Sequence, residues 1–254
     1  MTVSLLKEAR NFLLKWKNIF ADDGTDLGCV TSVKHRIDLS DDTPFKQRHR
    51  RIPPAMYKEV REHLQNLLET GIIRKSHSPW ASNVVLAWKK NGELRLCIDY
   101  RQLNQKTIRD SYALPRIEEI LDQVGGAKYY TVLDMKSGYH QVEVLEEHKA
   151  RTAFTVGPLG FFEYNRMPFG LSNSPATYQR LMEECLDGLN NKICFIYLDD
   201  VIIFSDTFEQ HLTNLENVFE RIRDFGMRLN AKKCKFFQRQ VPYVGHIVSS
   251  EGVS

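Results

Sequence analysis

Apolar and polar positions along this chain follow both helical and strand periods, which predicts a fold that mixes the two. Apolar residues recur at helical spacing over residues 5–20, 56–70 and 208–225. Runs rich in β-branched and aromatic residues predict strands at residues 33–39, 84–88, 94–98, 129–134, 151–156, 161–165 and 193–205. Two more helices are predicted at residues 117–124 and from Ser174 to about residue 189, where Ser174 caps the helix and Pro175 occupies its first turn.

The stretch at residues 193–205 places two acidic residues between apolar strands. Asp199 and Asp200 fall where a tight turn is predicted, and Asp tolerates turn geometry, so an ordinary hairpin tip with solvated charges is one interpretation. Adjacent carboxylates repel each other, however, and a divalent cation would remove that repulsion. The sequence therefore leaves two interpretations, a solvated turn and a metal site.

A second apolar strand, at residues 129–134, also ends on a carboxylate, Asp134. If the two strand ends are neighbours in one sheet, Asp134 joins Asp199 and Asp200 in a three-carboxylate cluster. Oxygen ligands of this kind suit Mg²⁺, and two ions about 3.5–4 Å apart would clamp the oxygens of a phosphoryl transfer. Three unrelated solvated aspartates are the alternative.

Composition describes an ordered, globular chain of 254 residues with 42% hydrophobic residues and a net charge of +3. This charge does not identify a nucleic-acid partner, although residues 45–51 hold four Lys or Arg and no acid. No apolar run approaches the ~20 residues of a membrane span. Five scattered cysteines without a paired spacing predict reduced thiols in a cytoplasmic protein with no membrane partner.

Several motifs, in order along the chain, resemble the catalytic core of a reverse transcriptase of a gypsy-type LTR retrotransposon. They are Leu-Cys-Ile-Asp-Tyr-Arg-Gln-Leu-Asn at 96–104, Val-Leu-Asp-Met-Lys-Ser-Gly-Tyr-His-Gln at 132–141, Met-Pro-Phe-Gly-Leu-Ser-Asn-Ser-Pro-Ala-Thr-Tyr-Gln at 167–179, and Tyr-Leu-Asp-Asp at 197–200. The resemblance implies an α+β fold with fingers and palm, in which the palm is an antiparallel sheet with helices on one face, opposite the aspartates.

Domain boundaries follow from the same family pattern. After an N-terminal helix and loop (1–30), fingers are expected at 31–108 and 142–173, and palm at 109–141 and 174–254. The resemblance also makes residues 241–249 the hairpin that grips the primer terminus. Because the sequence stops at Ser254, we expect the thumb to be absent from this chain, with weak, salt-sensitive binding of template-primer as the consequence.

The resemblance also implies the site residues. The catalytic metal ligands are expected to be Asp134, Asp199 and Asp200, binding Mg²⁺, for which Mn²⁺ is expected to substitute. Lys232 or Lys233 is expected to donate a proton to the pyrophosphate leaving group. Four positions are expected to bind the incoming nucleotide: Arg95 with Lys89 or Lys90 at its triphosphate, Tyr139 beneath its sugar, and Phe169, where retroviral enzymes carry glutamine. An exposed charged hairpin and a core tyrosine are the alternatives for Arg95 and Tyr139.

The function implied is an RNA- and DNA-directed DNA polymerase that uses two Mg²⁺ ions. Its partners would be an RNA or DNA template with primer, deoxynucleoside triphosphates, and a retroelement polyprotein or second subunit, in the cytoplasm, in retroelement particles or in the nucleus. Two other classes remain open, a non-catalytic nucleic-acid-binding remnant and a structural subunit of a longer polymerase. The three aspartates, Tyr139, Arg95 and the lysine segment together favour the enzyme.

Overall fold

A computed structural model of the chain describes residues 3–21, 26–88 and 94–254. Two compact units are present, and each is assembled from separate segments of the chain. The first unit comprises Met1–Ser32, Tyr112–Gln141 and Ala176–Ser254, and the second comprises Val33–Ser111 and Val142–Pro175.

Helices and strands alternate irregularly along the described residues, as expected for an α+β fold. The helices are α1 (Val3–Lys15), α2 (Tyr57–Glu69), α3 (Arg101–Lys106), α4 (Ile117–Val124), α5 (Glu146–Lys149), α6 (Ser174–Cys185) and α7 (Phe208–Asp224). The strands are β1 (Val30–His35), β2 (Ile73–Lys75), β3 (Ser82–Trp88), β4 (Leu94–Asp99), β5 (Tyr129–Asp134), β6 (Val142–Val144), β7 (Phe154–Thr155), β8 (Phe161–Tyr164), β9 (Cys194–Tyr197), β10 (Asp200–Ser205), β11 (Lys235–Gln238), β12 (Gln240–Tyr243), β13 (His246–Ser249) and β14 (Gly252–Val253).

The first unit is built on a four-stranded antiparallel sheet with the strand order β11-β5-β10-β9. Strand β10 lies between β5 and β9, so the two strands predicted to end on aspartates are neighbours. Their register pairs Asp200 with Asp134, and Asp200 also pairs with Tyr197 across the hairpin. The predicted strand–turn–strand at residues 193–205 and the predicted strand at residues 129–134 are confirmed.

The two faces of this sheet are distinguished by β5, because neighbouring residues in a strand point to opposite sides. Tyr130 packs with residues of α4 and of the β12–β13 hairpin. Thr131 lies on the other face, where its hydroxyl group contacts His211 of α7. Asp134 lies four residues after Tyr130 and so points to the same side of β5. Asp134 and its partner Asp200 therefore lie on the face opposite α7, which is the face that α4 contacts.

His211 joins α7 to the sheet from a fully buried position. Its Nδ1 and Nε2 atoms lie 2.8 Å from the hydroxyl groups of Ser205 and Thr131. Since Ser205 donates to the carbonyl of Thr207, Nδ1 of His211 donates to Ser205 and Nε2 accepts from Thr131. Burial lowers the pKa of His211 to about 4, so the network is neutral at physiological pH.

The second unit contains a five-stranded sheet with the order β2-β8-β7-β3-β4. Its neighbours are antiparallel except for β3 and β7, which are parallel. Strands β3 and β4 form one antiparallel pair and β7 and β8 form another. The parallel pairing of β3 with β7 is a long-range contact that local patterns do not show. A core of Ile37, Trp80, Tyr100, Leu103, Val144 and Leu171 fills this unit.

Two predicted boundaries were wrong for local reasons. The first strand ends at His35 rather than at residue 39, because the backbone N–H of Ile37 donates to Nδ1 of His148 instead of to a neighbouring strand. Helix α6 ends at Cys185 rather than near residue 189, and the chain turns at Gly188, whose φ of 76° lies in the left-handed region.

All five cysteines lie in described segments and none of them forms a disulfide there, as predicted. In residues 3–21, 26–88 and 94–254 we find no helix with the length and apolar character that a bilayer span requires.

Candidate active site

The turn between β9 and β10 carries the acidic pair. It contains Leu198, whose φ of 54° is uncommon for a residue with a β-carbon, followed by Asp199 and then by Asp200, the first residue of β10. Asp199 is exposed, whereas Asp200 is half-buried. The two adjacent carboxylates therefore stand in different environments.

Asp134 and Asp200 face each other across two paired strands, and their charges interact unfavourably. Burial raises the pKa of Asp200 to about 6, and the charges of Asp199 and Asp134 add to this effect. Burial also raises the pKa of Asp134, an effect that Lys233 opposes. The sheet thus holds together carboxylates that would each lose a proton more readily alone.

Lys233 provides the positive charge in this cluster. Its Nζ lies 3.3 Å from Oδ2 of Asp134 and only one-fifth of the Asp134 side chain is exposed. Cys234 packs against the backbone of the same residue, and its sulfur accepts a hydrogen bond from the N–H of Asp134 at 3.4 Å. No ion pair links Lys232 to the three aspartates in the described part of the chain. The structure therefore brings Lys233, of the two predicted lysines, to the carboxylates.

Oδ1 of Asp134 is a buried oxygen without a hydrogen-bond partner among the described residues. Such an orphaned acceptor, facing Asp200 across the register pair, fits a cation that binds carboxylate oxygen. The metal-ligand set of Asp134, Asp199 and Asp200 stays a prediction. Within residues 3–21, 26–88 and 94–254, no three Asp, Glu, His or Cys side chains are placed to hold an ion by themselves. Since Asp199 is exposed on the turn, the remaining ligands would come from water or substrate, as is usual for Mg²⁺.

Tyr139 lies beside this cluster in a half-buried position. Burial raises its pKa to about 12, with a further contribution from the charge of Asp199. Its ring centroid is 5.3 Å from that of Tyr178, which is fully buried. A β-carbon on Gly138 would approach the Tyr178 hydroxyl oxygen to 2.5 Å, so only glycine fits there without a shift. Tyr178 and Gly138 thus form the support of the Tyr139 ring.

Two residues near the turn escaped the sequence interpretation. Tyr178 and Gln179 are both fully buried on α6. They belong to the motif at residues 167–179, in which the sequence analysis assigned no role to either of them. A glutamine and a tyrosine on the apolar face of a predicted helix could have drawn attention to these positions. A buried polar side chain needs a hydrogen-bond partner, so each of them indicates a contact with another part of the fold.

The second unit carries the other predicted nucleotide-binding residues. Arg95 lies on β4 opposite Ala87, and its guanidinium carbon is 5.9 Å from the ring centroid of Phe169, which is half exposed. This distance is near the outer limit of a cation–π contact. Lys89 and Lys90 lie outside the described residues.

Replacing Asp200 by Asn should flatten the pH dependence of stability in metal-free buffer. Because the pKa of Asp200 rises from 3.8 to about 6 on folding, the folded chain keeps a proton between these values that the unfolded chain has released. The free energy of unfolding therefore falls as pH rises through this window, by up to about 1.4 kcal/mol per pH unit for one proton. Urea unfolding of both chains from about pH 4 to 7 measures the difference, and parallel curves would contradict it.

Two fully buried tyrosines should respond oppositely to removal of their hydroxyl groups. The Tyr178 hydroxyl has no hydrogen-bond partner in the described chain, so Tyr178→Phe should leave the free energy of unfolding unchanged or raise it by up to about 1 kcal/mol. The Tyr130 hydroxyl lies 3.2 and 3.1 Å from the carbonyl oxygens of Val124 and Ser249, so Tyr130→Phe should lower it by about 1 kcal/mol. Urea unfolding compares the pair, and an equal loss in both would refute the difference.

Comparison with known families places most of the chain in one of them. Residues 87–248 match the family described as "Reverse transcriptase (RNA-dependent DNA polymerase)". The retrovirus-related Pol polyprotein from transposon 297 of Drosophila melanogaster is 37% identical over 96% of this chain. That from transposon gypsy of the same organism is 37% identical over 98%. The chain spans 23% and 24% of the length of these two relatives.

Solved structures support the fold prediction. The foamy viral protease–reverse transcriptase in complex with double-stranded DNA aligns with a TM-score of 0.91 and 22% identity, over all of this chain and 44% of the other. The same protein in complex with an RNA/DNA hybrid gives the same score and identity, over all of this chain and 34% of the other. The predicted α+β, reverse-transcriptase-like fold is therefore confirmed.

Proposed function

We propose, since this chain belongs to the reverse transcriptase family, that it carries the nucleotidyl-transfer core of an RNA- and DNA-directed DNA polymerase. The observation that carries the proposal is the register of β5 and β10, which sets Asp134 opposite Asp200 with Asp199 beside them on the turn. Placing these carboxylates together at the ends of paired strands lowers stability through charge repulsion, so the arrangement indicates a functional site.

Asp134 and Asp200 are the residues that would hold divalent cations, with Asp199 contributing from the turn. Two Mg²⁺ ions, or Mn²⁺ in their place, would stabilise the charge that develops on the attacking and leaving oxygens. The chain's own contribution is to hold the carboxylates together and to orient them. Burial first and the neighbouring carboxylates second raise the pKa values of Asp200 and Asp134, and a bound cation would offset both effects.

Lys233 is the residue we assign to protonation of the pyrophosphate leaving group, because its ammonium group lies at Asp134. Lys233→Ala should reduce the rate of single-nucleotide incorporation roughly 10²-fold. Lys232→Ala, the neighbouring control, should change the rate by less than about threefold. Rapid-quench kinetics measure both, and a larger loss from Lys232→Ala would reverse the assignment.

The remaining roles are carried over from the family, residue by residue. In the first unit, which we interpret as the palm, Tyr139 would lie beneath the sugar of the incoming nucleotide. In the second unit, interpreted as the fingers, Arg95 with Lys89 or Lys90 would bind the triphosphate, since guanidinium and ammonium groups are strong phosphate donors. Phe169, half exposed, would offer the nucleotide an apolar surface in place of a polar contact.

The partners we propose are an RNA or DNA template with its primer, and deoxynucleoside triphosphates. The solved relatives are complexes with double-stranded DNA and with an RNA/DNA hybrid. The transposon relatives are polyproteins, which agrees with a role inside a longer polyprotein or beside a second subunit. We propose that the protein works in the cytoplasm, in a retroelement particle or in the nucleus.

Primer extension tests this proposal. The chain should extend oligo(dT) on poly(rA), and a matched primer on DNA, only when Mg²⁺ or Mn²⁺ is present. Binding of the same template-primer without any extension would support the non-catalytic alternative instead.

A further inference from the structure

Leu198 holds an uncommon conformation directly before the exposed Asp199. Its φ of 54° crowds the β-carbon against the backbone, and residues keep such angles where the surroundings impose them. Because Leu198 and Asp199 share a peptide bond, whatever fixes the backbone of Leu198 also fixes the direction in which Asp199 leaves the turn.

Gln179 is the side chain that contacts this backbone. It projects from α6, is fully buried, and its Oε1 accepts a hydrogen bond from the N–H of Leu198 at 2.8 Å. Its Nε2 lies 3.5 Å from the carbonyl oxygen of Ile196, in β9. One planar amide group thus spans the end of the strand and the turn.

Glu183, one helical turn further along α6, determines which way this amide group faces. Nε2 of Gln179 donates to Oε1 of Glu183 at 2.7 Å. An ionised carboxylate only accepts hydrogen bonds, so the NH₂ group must face Glu183 and the oxygen must face Leu198. The hydroxyl group of Tyr112 donates to the other carboxylate oxygen of Glu183, and the Arg180 guanidinium lies 4.6 Å from the Tyr112 ring centroid. Both carboxylate oxygens of Glu183 are therefore engaged.

We infer that Gln179, oriented by Glu183 and Tyr112, is a positioning residue that fixes the turn through the N–H of Leu198 and so orients Asp199 for nucleotidyl transfer. This inference rests on the proposed polymerase function. It assigns Gln179 no contact with substrate. Its loss should slow the chemical step, because the carboxylate is then misplaced, and should leave the surfaces that bind template-primer unchanged.

The chain provides a matched control for this pair. Gln65 and Glu69 of α2 form the same hydrogen bond between residues four apart, at 2.8 Å, but on an exposed surface and with no turn attached. A change that acts only through helix stability would have similar effects at both pairs. A change that acts through the turn would affect only the buried pair.

Exchanging the two side chains tests the orientation argument. Q179E places two carboxylates against each other, and single-turnover incorporation should fall at least tenfold while template-primer binding stays within about twofold. Adding E183Q to Q179E lets the new amide group at position 183 donate to the new carboxylate at position 179, whose other oxygen can still accept from the N–H of Leu198. The double variant should therefore return the rate to within about threefold of wild type. Q65E with and without E69Q should leave the rate unchanged. A wild-type rate in Q179E, or no recovery in the double variant, would overturn the inference.

Hydrogen exchange at the Leu198 amide gives a second readout that requires no activity. Exchange should be slow in the wild-type chain and at least tenfold faster in Q179M, which keeps the length of the side chain but has no acceptor for this N–H. Equal exchange in both chains, with normal primer extension by the wild type, would overturn the inference and leave the proposed function standing. Protection that depends on Gln179, in a chain that extends no primer, would instead refute the proposed function and with it the catalytic part of the inference.

Discussion

Primer extension should fall roughly 10³-fold or more when Asp199 is replaced by Asn, while template-primer binding should change little. Asn keeps the size of the side chain but supplies a neutral oxygen in place of an anionic one, so a divalent cation loses much of its attraction to the turn. The basic side chains that would contact phosphates are untouched, and affinity for nucleic acid depends mainly on those. Rapid-quench incorporation and filter binding on one preparation separate the two quantities.

Asp206→Asn is the control for this variant. Asp206 is exposed and directly follows the other end of β10, so the substitution makes the same chemical change just beyond that strand, away from the carboxylate cluster. It should extend primers at the wild-type rate. An equal loss of binding and extension in Asp199→Asn would contradict the metal assignment and indicate a folding defect or a direct role in binding.

Tyr139→Ala should raise the incorporation of ribonucleotides relative to deoxyribonucleotides, roughly tenfold or more. The ring is half-buried, and its centroid lies 5.3 Å from that of the Tyr178 ring. Gly138, which has no β-carbon, leaves room for Tyr178 in this position. A ring held this firmly could exclude the 2′-hydroxyl, which is the group that separates the two kinds of sugar. Removing the ring should admit it.

Tyr139→Phe provides the comparison, because it keeps the ring and removes only the hydroxyl group. It should retain the wild-type sugar preference in single-nucleotide kinetics with matched triphosphates. A preference that stays unchanged in Tyr139→Ala would show that Tyr139 serves the core and not the nucleotide.

The sequence predicted the acidic centre because its signals are local. Apolar strands with a carboxylate at the end can be seen at Asp134 and Asp200 without any tertiary information, and antiparallel pairing then allows only a few registers. Similar reasoning found α4, α7 and the strands β3 and β4, because periodicity is a signal that acts over short distances.

The contacts that orient this centre could not be found in that way. Gln179 accepts a hydrogen bond from a backbone group nineteen positions along the chain, and a buried amide group has no periodic signature. Likewise, the choice between Lys232 and Lys233 depends on how residues 232–234 pack against Asp134, which the pattern Lys-Lys-Cys leaves open. The parallel pairing of β3 with β7 is a third case, because the first-unit segment Tyr112–Gln141 lies between these strands in the sequence.

Iron-mediated cleavage of the polypeptide tests most directly whether cations bind at the paired ends of β5 and β10. With Fe²⁺ in place of Mg²⁺, together with ascorbate, template-primer and the next nucleotide, hydroxyl radicals cut the backbone beside the bound ion. The account predicts cuts near residue 134 and near residues 198–201, suppressed by excess Mg²⁺ and weakened in Asp134→Asn. Cleavage elsewhere, or an unchanged pattern in Asp134→Asn, would contradict it.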